Sequence, residues 1–308
     1  LTHRYVKNTI LIFFFGGRKM KKIVIMILAA LLLVSCATTE KSAKVYEYTE
    51  ADVMIDAGDH KVPATITVPV VEEGVKVPAV VMLHGTGSNR HEAGNGYDYA
   101  APEMAKAGIA TIRFDYIGNG DSEEDYIDFT YDKALSDAEV CKSYIIENYP
   151  VDAERIGVMG WSLGGKLAFL AASRDPSFAS VLTWAGAYGV YESQEEYEIA
   201  KKDGYYEMTF DWRDSLKESP EFYECAFAID YPAEMARITA PVLLIQGKAD
   251  DTVLPETAEE IYASLTSSEK KDIFWIEGGD HTFGVFSGDD TVLKTAVSAT
   301  IAWFSETL

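Results

Sequence analysis

Six short apolar runs, at residues 79–83, 109–114, 155–159, 179–184, 242–246 and 272–276, constrain this chain more than any other feature. Runs this short, set between helical patterns, suit strands buried on both faces, as in a parallel sheet covered by helices. Helical periodicity follows at 97–107, 131–148, 163–173, 256–265 and about 290–304. Strand and helix in alternation predict a doubly wound, mostly parallel α/β sheet, with its site beyond the carboxyl ends of the strands. Two further β-rich stretches, 45–55 and 64–70, precede the first run. Between the fourth and fifth runs, from about 187 to 236, strand signals are missing while aromatic and acidic residues accumulate. That segment predicts a helical cap insertion above the strand ends. The chain's 308 residues suit one such domain, predicted over 45–308.

The first forty residues read as an address. Met20-Lys21-Lys22 precedes an apolar run over 23–34 and then Ser35-Cys36-Ala37. A positive start, a short apolar centre and a small-residue exit make a secretory signal, and the run is short for a membrane span. Leu33-Val34-Ser35-Cys36 resembles the bacterial lipobox, which implies lipidation of Cys36 and a protein anchored in the cell envelope, outside the cytoplasm. Residues 36–44 then form a tether. Residues 1–19 are expected to be an upstream extension, with translation starting at Met20.

Charge narrows the partners. The chain carries 27 basic and 49 acidic residues, a formal net charge of −22. Loss of residues 1–35 would remove six basic residues and no acidic one. Such a surface repels phosphate backbones, so nucleic acid is not an expected partner. Cys141 and Cys225 are expected to be packed thiols rather than a bridge. No CxxC or His/Cys cluster has metal-ligand spacing, so neither a metal nor a cofactor is expected.

The chemistry gathers at Gly160-Trp161-Ser162-Leu163-Gly164. An isolated Gly-x-Ser-x-Gly is common by chance, and its Ser can merely cap a helix. Here the motif falls between a predicted strand and a predicted helix, the setting of a nucleophile elbow. A Ser hydroxyl needs a base to take its proton, and the base needs an orienting acid. In such sites the chain order is nucleophile, acid, base, and His281 is the only histidine after Ser162. The acid is expected after the run at 242–246, where Asp250 is preferred and Asp251 is the alternative. Backbone N–H groups of Leu163 and Thr86 are the expected oxyanion donors. His84 is expected to shape its loop, since it precedes Ser162.

His84-Gly85-Thr86-Gly87, Arg113-Phe114-Asp115 with Gly118-Asn119-Gly120-Asp121-Ser122, the elbow, Gly247-x-x-Asp250 and Asp280-His281 together resemble the α/β-hydrolase superfamily. The branch they are most similar to is the dienelactone-hydrolase-like serine esterases, which include cinnamoyl (feruloyl) esterases. The resemblance runs from about residue 77 to the end, outside the cap. It implies an α/β-hydrolase fold, a triad of Ser162, Asp250 and His281, and Asp115 as a structural loop residue. It implies cleavage of a small-molecule or carbohydrate-linked carboxylic ester through an acyl-enzyme. Dienelactone hydrolases proper carry Cys at the position of Ser162. Two alternatives are a prolyl-peptidase-like serine peptidase, whose N-terminal propeller residues 37–76 are too few to form, and a surface-binding lipoprotein without turnover.

Overall fold

The computed structural model describes residues 44–308. The upstream extension, the leader, Cys36 and the tether up to residue 43 lie outside the described residues. Strands β1 (Tyr48–Asp56) and β2 (Lys61–Pro69) form an antiparallel hairpin with Asp56 opposite Lys61. Its reversal uses Gly58 at φ 97°, and the Asp56 carboxylate accepts the Gly58 N–H at 2.9 Å. Strand β3 (Val77–Leu83) leads through helix α1 (Gly96–Lys106) to β4 (Ala110–Phe114). Helix α2 (Tyr131–Asn148) leads to β5 (Val151–Trp161), and α3 (Leu163–Arg174) to β6 (Phe178–Trp184).

The insertion that follows holds α4 (Gln194–Asp203), β7 (Tyr206–Met208), β8 (Leu216–Glu218), α5 (Pro220–Phe227) and α6 (Tyr231–Arg237). The chain then completes β9 (Val242–Gly247), α7 (Pro255–Ser264), β10 (Lys271–Ile276) and α8 (Thr291–Thr307).

The main sheet has the order β1-β2-β4-β3-β5-β6-β9-β10. Six of its strands, β3 to β6 with β9 and β10, run parallel, as buried apolar runs predict. The β1–β2 hairpin adds an antiparallel edge through the pairing of β2 with β4. One face of the sheet is covered by α1 and α8, where Tyr97, Met104, Leu293 and Phe304 are buried. The other is covered by α2, α3 and α7, with Ala138, Ile145, Leu167 and Ile261 buried. This is the α/β-hydrolase fold.

Two elements differ from the sequence pattern. Strand β5 starts at Val151 because that residue pairs with Val77, although the polar stretch after it carries no strand signal. The cap is not wholly helical: β7 and β8 make a small antiparallel ladder, Tyr206 opposite Glu218 and Met208 opposite Leu216. Three-residue strands are too short to show period-two alternation. The cap helices begin at side-chain acceptors that the sequence does display. Ser193 and Glu196 form a capping box, Ser219 accepts from Phe222 N–H, and Asp230 from Ala233 N–H.

Aromatics bind the cap together and to the body. Phe222 packs on Phe129 and Tyr131, and Tyr197 on Tyr223 and Phe227. A buried ion pair reinforces the seam. Lys166 of α3 lies 3.6 Å from Glu192, the side chains 2% and 8% exposed. The rings of Tyr131, Tyr191 and Tyr231 surround the ammonium at 5.2, 4.9 and 5.5 Å. Cys141 is buried and Cys225 partly buried, and both are free thiols. Among the described residues no helix is long and apolar enough to cross a membrane.

Candidate active site

Strand β5 ends at Trp161 and α3 begins at Leu163, so Ser162 alone makes the turn, at φ 55° and ψ −118°. A non-glycine residue there stores on the order of 1–3 kcal/mol, retained only where the surroundings impose it. They do so here. Ser162 N–H donates to Trp184 C=O at 3.0 Å, and its own carbonyl accepts from Gly165 and Ala187 N–H, each at 2.9 Å. The flanking glycines let the segments approach. A Cβ on Gly160 would lie 2.0 Å from the Gly164 carbonyl oxygen, and one on Gly164 would lie 2.0 Å from that of Leu83. Ser162 therefore stands at the carboxyl end of the sheet and at the positive end of α3.

The loops after β9 and β10 meet through the Ala249 N–H, which donates to Gly279 C=O at 2.9 Å. That contact sets Asp250 beside His281, with Oδ2 3.0 Å from Nδ1. Asp250 is buried, and the rest of its carboxylate is filled by donors. Oδ1 accepts from Thr252 and Val253 N–H at 2.9 Å, and Oδ2 also from Gln246 Nε2 at 3.0 Å. Asp251 is exposed, with Thr252 Oγ1 3.5 Å away. Geometry separates two carboxylates that the sequence could only rank. An Nδ1–H donated to Asp250 leaves Nε2 as an acceptor, the tautomer that a general base needs. Among the described residues Ser162 Oγ makes no hydrogen bond to His281. The two are linked instead through Trp161, whose Nε1 donates to His281 C=O at 2.9 Å.

The loop after β3 completes this end of the sheet. His84 is buried and stacked on Tyr116, with ring centroids 3.8 Å apart. Its Nδ1 lies 2.8 Å from Gly85 C=O, and its Nε2 accepts from Tyr116 N–H at 3.2 Å. Burial pushes its pKa down to about 4, so it is a neutral fixture of the loop. Asp115 accepts from Arg90 N–H at 2.7 Å and Asp121 N–H at 2.9 Å and pairs with the Arg90 guanidinium. Among the described residues, the N–H groups of Thr86 and Leu163 donate to no other backbone group.

Two residues that sequence reasoning did not single out belong to this region. Arg213, at the tip of the cap hairpin, bonds the Gly87 carbonyl and lies 3.4 Å from Asn119 Oδ1, so the cap rests on this loop. Glu92 lies buried beneath the same loop, and its carboxylate accepts the Gly85 N–H. Neither falls in a motif; a lone Arg among acidic residues and a lone Glu after His91 carry no local signal. Among the described residues no group of His, Cys, Asp and Glu could hold a metal ion.

Comparison with known proteins agrees with this fold. A family model described as the prolyl oligopeptidase family matches residues 96–308. The chain is 24% identical over 224 residues to 2,6-dihydropseudooxynicotine hydrolase of Paenarthrobacter nicotinovorans, covering 71% of this chain and 56% of that protein. The chain spans about half the length of the curated relatives it matches. Among solved structures it is similar to Est1E of Butyrivibrio proteoclasticus with ferulic acid bound, at TM-score 0.66 and 21% identity, covering 83% of this chain and 98% of that one. It is also similar to a Mycobacterium tuberculosis puromycin-hydrolyzing peptidase, at TM-score 0.64 and 21% identity, covering 88% of this chain and 41% of that one.

Proposed function

The chain belongs to the prolyl oligopeptidase family of α/β hydrolases, and from that premise we propose that it cleaves carboxylic esters through an acyl-enzyme on Ser162. The observation that carries this reading is the Asp250–His281 pair, 3.0 Å apart and tied to the elbow through Trp161. His281 Nε2 takes the Ser162 proton as Oγ attacks the ester carbonyl, and Asp250 holds the resulting imidazolium. The N–H groups of Leu163 and Thr86 receive the oxyanion, aided by the positive end of α3. His281 returns the proton to the leaving alcohol. It then activates a water molecule that releases the acid and restores Ser162.

The ester preference is supported by likeness to Est1E with bound ferulic acid. The family description and the likeness to a puromycin-hydrolyzing peptidase favour a second reading, amide cleavage by the same groups. A fluorophosphonate probe tests the nucleophile: it should label the wild-type protein and not Ser162→Ala, and equal labelling would refute the mechanism. Short-chain p-nitrophenyl esters against aminoacyl-naphthylamides test the substrate, and faster amide turnover would make the protein a peptidase. We also propose that Cys36 is the lipidated first residue of the mature protein, anchoring it to a bacterial envelope membrane. Intact-mass measurement of the native protein tests this, and a mature form retaining residues 1–19 would refute it.

A further inference from the structure

Glu92 is 9% exposed and has backbone angles φ 63° and ψ 178°, a conformation that L residues rarely adopt. Three donors converge on its carboxylate. Gly85 N–H donates to Oε1, and Ser88 Oγ at 2.7 Å and Ala93 N–H at 2.6 Å donate to Oε2. Among the described residues no Lys or Arg pairs with it. A Cβ built on Gly85 would lie 3.0 Å from Glu92 Oε1 and 3.4 Å from Ser162 Cβ. Carboxylate, His84–Gly87 loop and nucleophile therefore share one small volume. A buried carboxyl group without a cation must be hydrogen-bonded, and these donors tie it to the His84–Gly87 loop.

We propose that Glu92 is a positioning residue of the active site, fixing the oxyanion loop through Gly85. The inference rests on the reading of Ser162 as nucleophile. The carboxylate is bound to the residue just before Thr86, so the direction of the Thr86 N–H follows from where Glu92 sits. Burial raises its pKa, and the hydrogen bonds from Ser88, Gly85 and Ala93 oppose that rise. Other titratable groups face it from the surrounding elements. The buried hydroxyls of Tyr97 and Tyr116 are held far above neutrality, by burial first and by Glu92 second. His84 is neutral, and Arg90 is committed to Asp115 and Asp121. His91 is paired with Asp98.

The test uses p-nitrophenyl acetate with the wild-type protein, Glu92→Gln and Glu92→Ala, each checked for its unfolding midpoint and for fluorophosphonate labelling of Ser162. Glu92→Gln keeps an acceptor for Gly85 and loses the charge. It should cost less than about tenfold in kcat, with KM within about threefold. Glu92→Ala loses both, and kcat should fall roughly 100-fold with KM within about threefold. A kcat for folded Glu92→Ala within about threefold of wild type would overturn the proposal, as would a Glu92→Gln no better than Glu92→Ala, or losses confined to KM or to the unfolding midpoint. If Glu92→Ala does not fold, Glu92→Asp decides alone: its shorter side chain should lower kcat at least about tenfold with KM within about threefold, and a wild-type kcat would overturn the proposal. Failure of the wild-type Ser162 to label would refute the nucleophile reading, and this inference with it.

Discussion

Replacing Lys166 by Met tests how the cap is held. Lys166 and Glu192 are 3.6 Å apart and almost fully buried. At an effective dielectric of about 20, unit charges at that distance attract by about 5 kcal/mol, offset in the native protein by the desolvation of both. Burial does pull the Lys166 pKa down, and Glu192 pulls it back. Met fills the space of the Lys stem among the three tyrosines, so the packing loss is small. What remains is a buried Glu192 with the Tyr131 hydroxyl and the Tyr191 N–H as donors but no cation, the kind of stranded charge that costs roughly 3–5 kcal/mol. At about 2–4 °C per kcal/mol for a domain of this size, the unfolding midpoint should fall by roughly 6–20 °C. Adding Glu192→Gln should recover most of that loss, because no uncompensated charge is left. Calorimetry of the wild-type protein, both single variants and the double variant closes the cycle. A Lys166→Met midpoint within about 2 °C of wild type, or a double variant no better than that single one, would refute the argument.

Three other outcomes follow from the geometry. Burial pushes the Glu218 carboxyl up to about 7, against the Tyr223 hydroxyl that donates to it at 2.6 Å. The folded protein therefore keeps a proton that the unfolded chain gives up near pH 4.3, so the contribution is complete below that pH and lost as pH rises through 7. Glu218→Gln should gain about 3 kcal/mol on the wild type between pH 4 and 8, and parallel melting profiles at the two pH values would sink this. Gly164→Ala would force at least about 1 Å of movement between α3 and the Leu83 carbonyl, so fluorophosphonate labelling should slow roughly 100-fold; wild-type labelling would contradict it. Asp250→Asn should lower kcat by roughly 10³–10⁴ while Asp251→Asn changes it less than about twofold, and the reverse order would reassign the acid.

The sheet was legible because a buried strand must be apolar along its whole length, and six such runs leave few architectures. Ser162 was legible for a related reason: a turn this tight between strand and helix tolerates glycine alone at positions 160 and 164. His281 needed only chain order. Asp250 could be ranked above Asp251 but not separated from it in sequence, because the choice depends on which of them the Gly279 contact turns inward. Glu92 and Arg213 were invisible for a deeper reason. Their partners, Gly85 and Gly87, offer backbone groups, and a backbone hydrogen bond leaves no trace in residue type. The Lys166–Glu192 pair is 26 positions apart across an irregular segment, where no periodicity links the two. The cap hairpin was missed because three residues a side do not establish a period.

The indole that joins the elbow to the His281 loop also makes the site optically readable. Trp161 is buried edge-on against Trp184 and Phe283, whereas Trp212 at the cap tip is 65% exposed. Buried indoles emit at shorter wavelength and are shielded from aqueous quenchers; an exposed one emits further to the red and is quenched readily. Withdrawal of the His281 loop would release the Trp161 N–H and alter the first emission, while movement of the cap would alter the second. Difference spectra against Trp161→Phe and Trp212→Phe, needed because Trp184, Trp275 and Trp303 also emit, would with iodide tell a change at the His281 loop from a change at the cap.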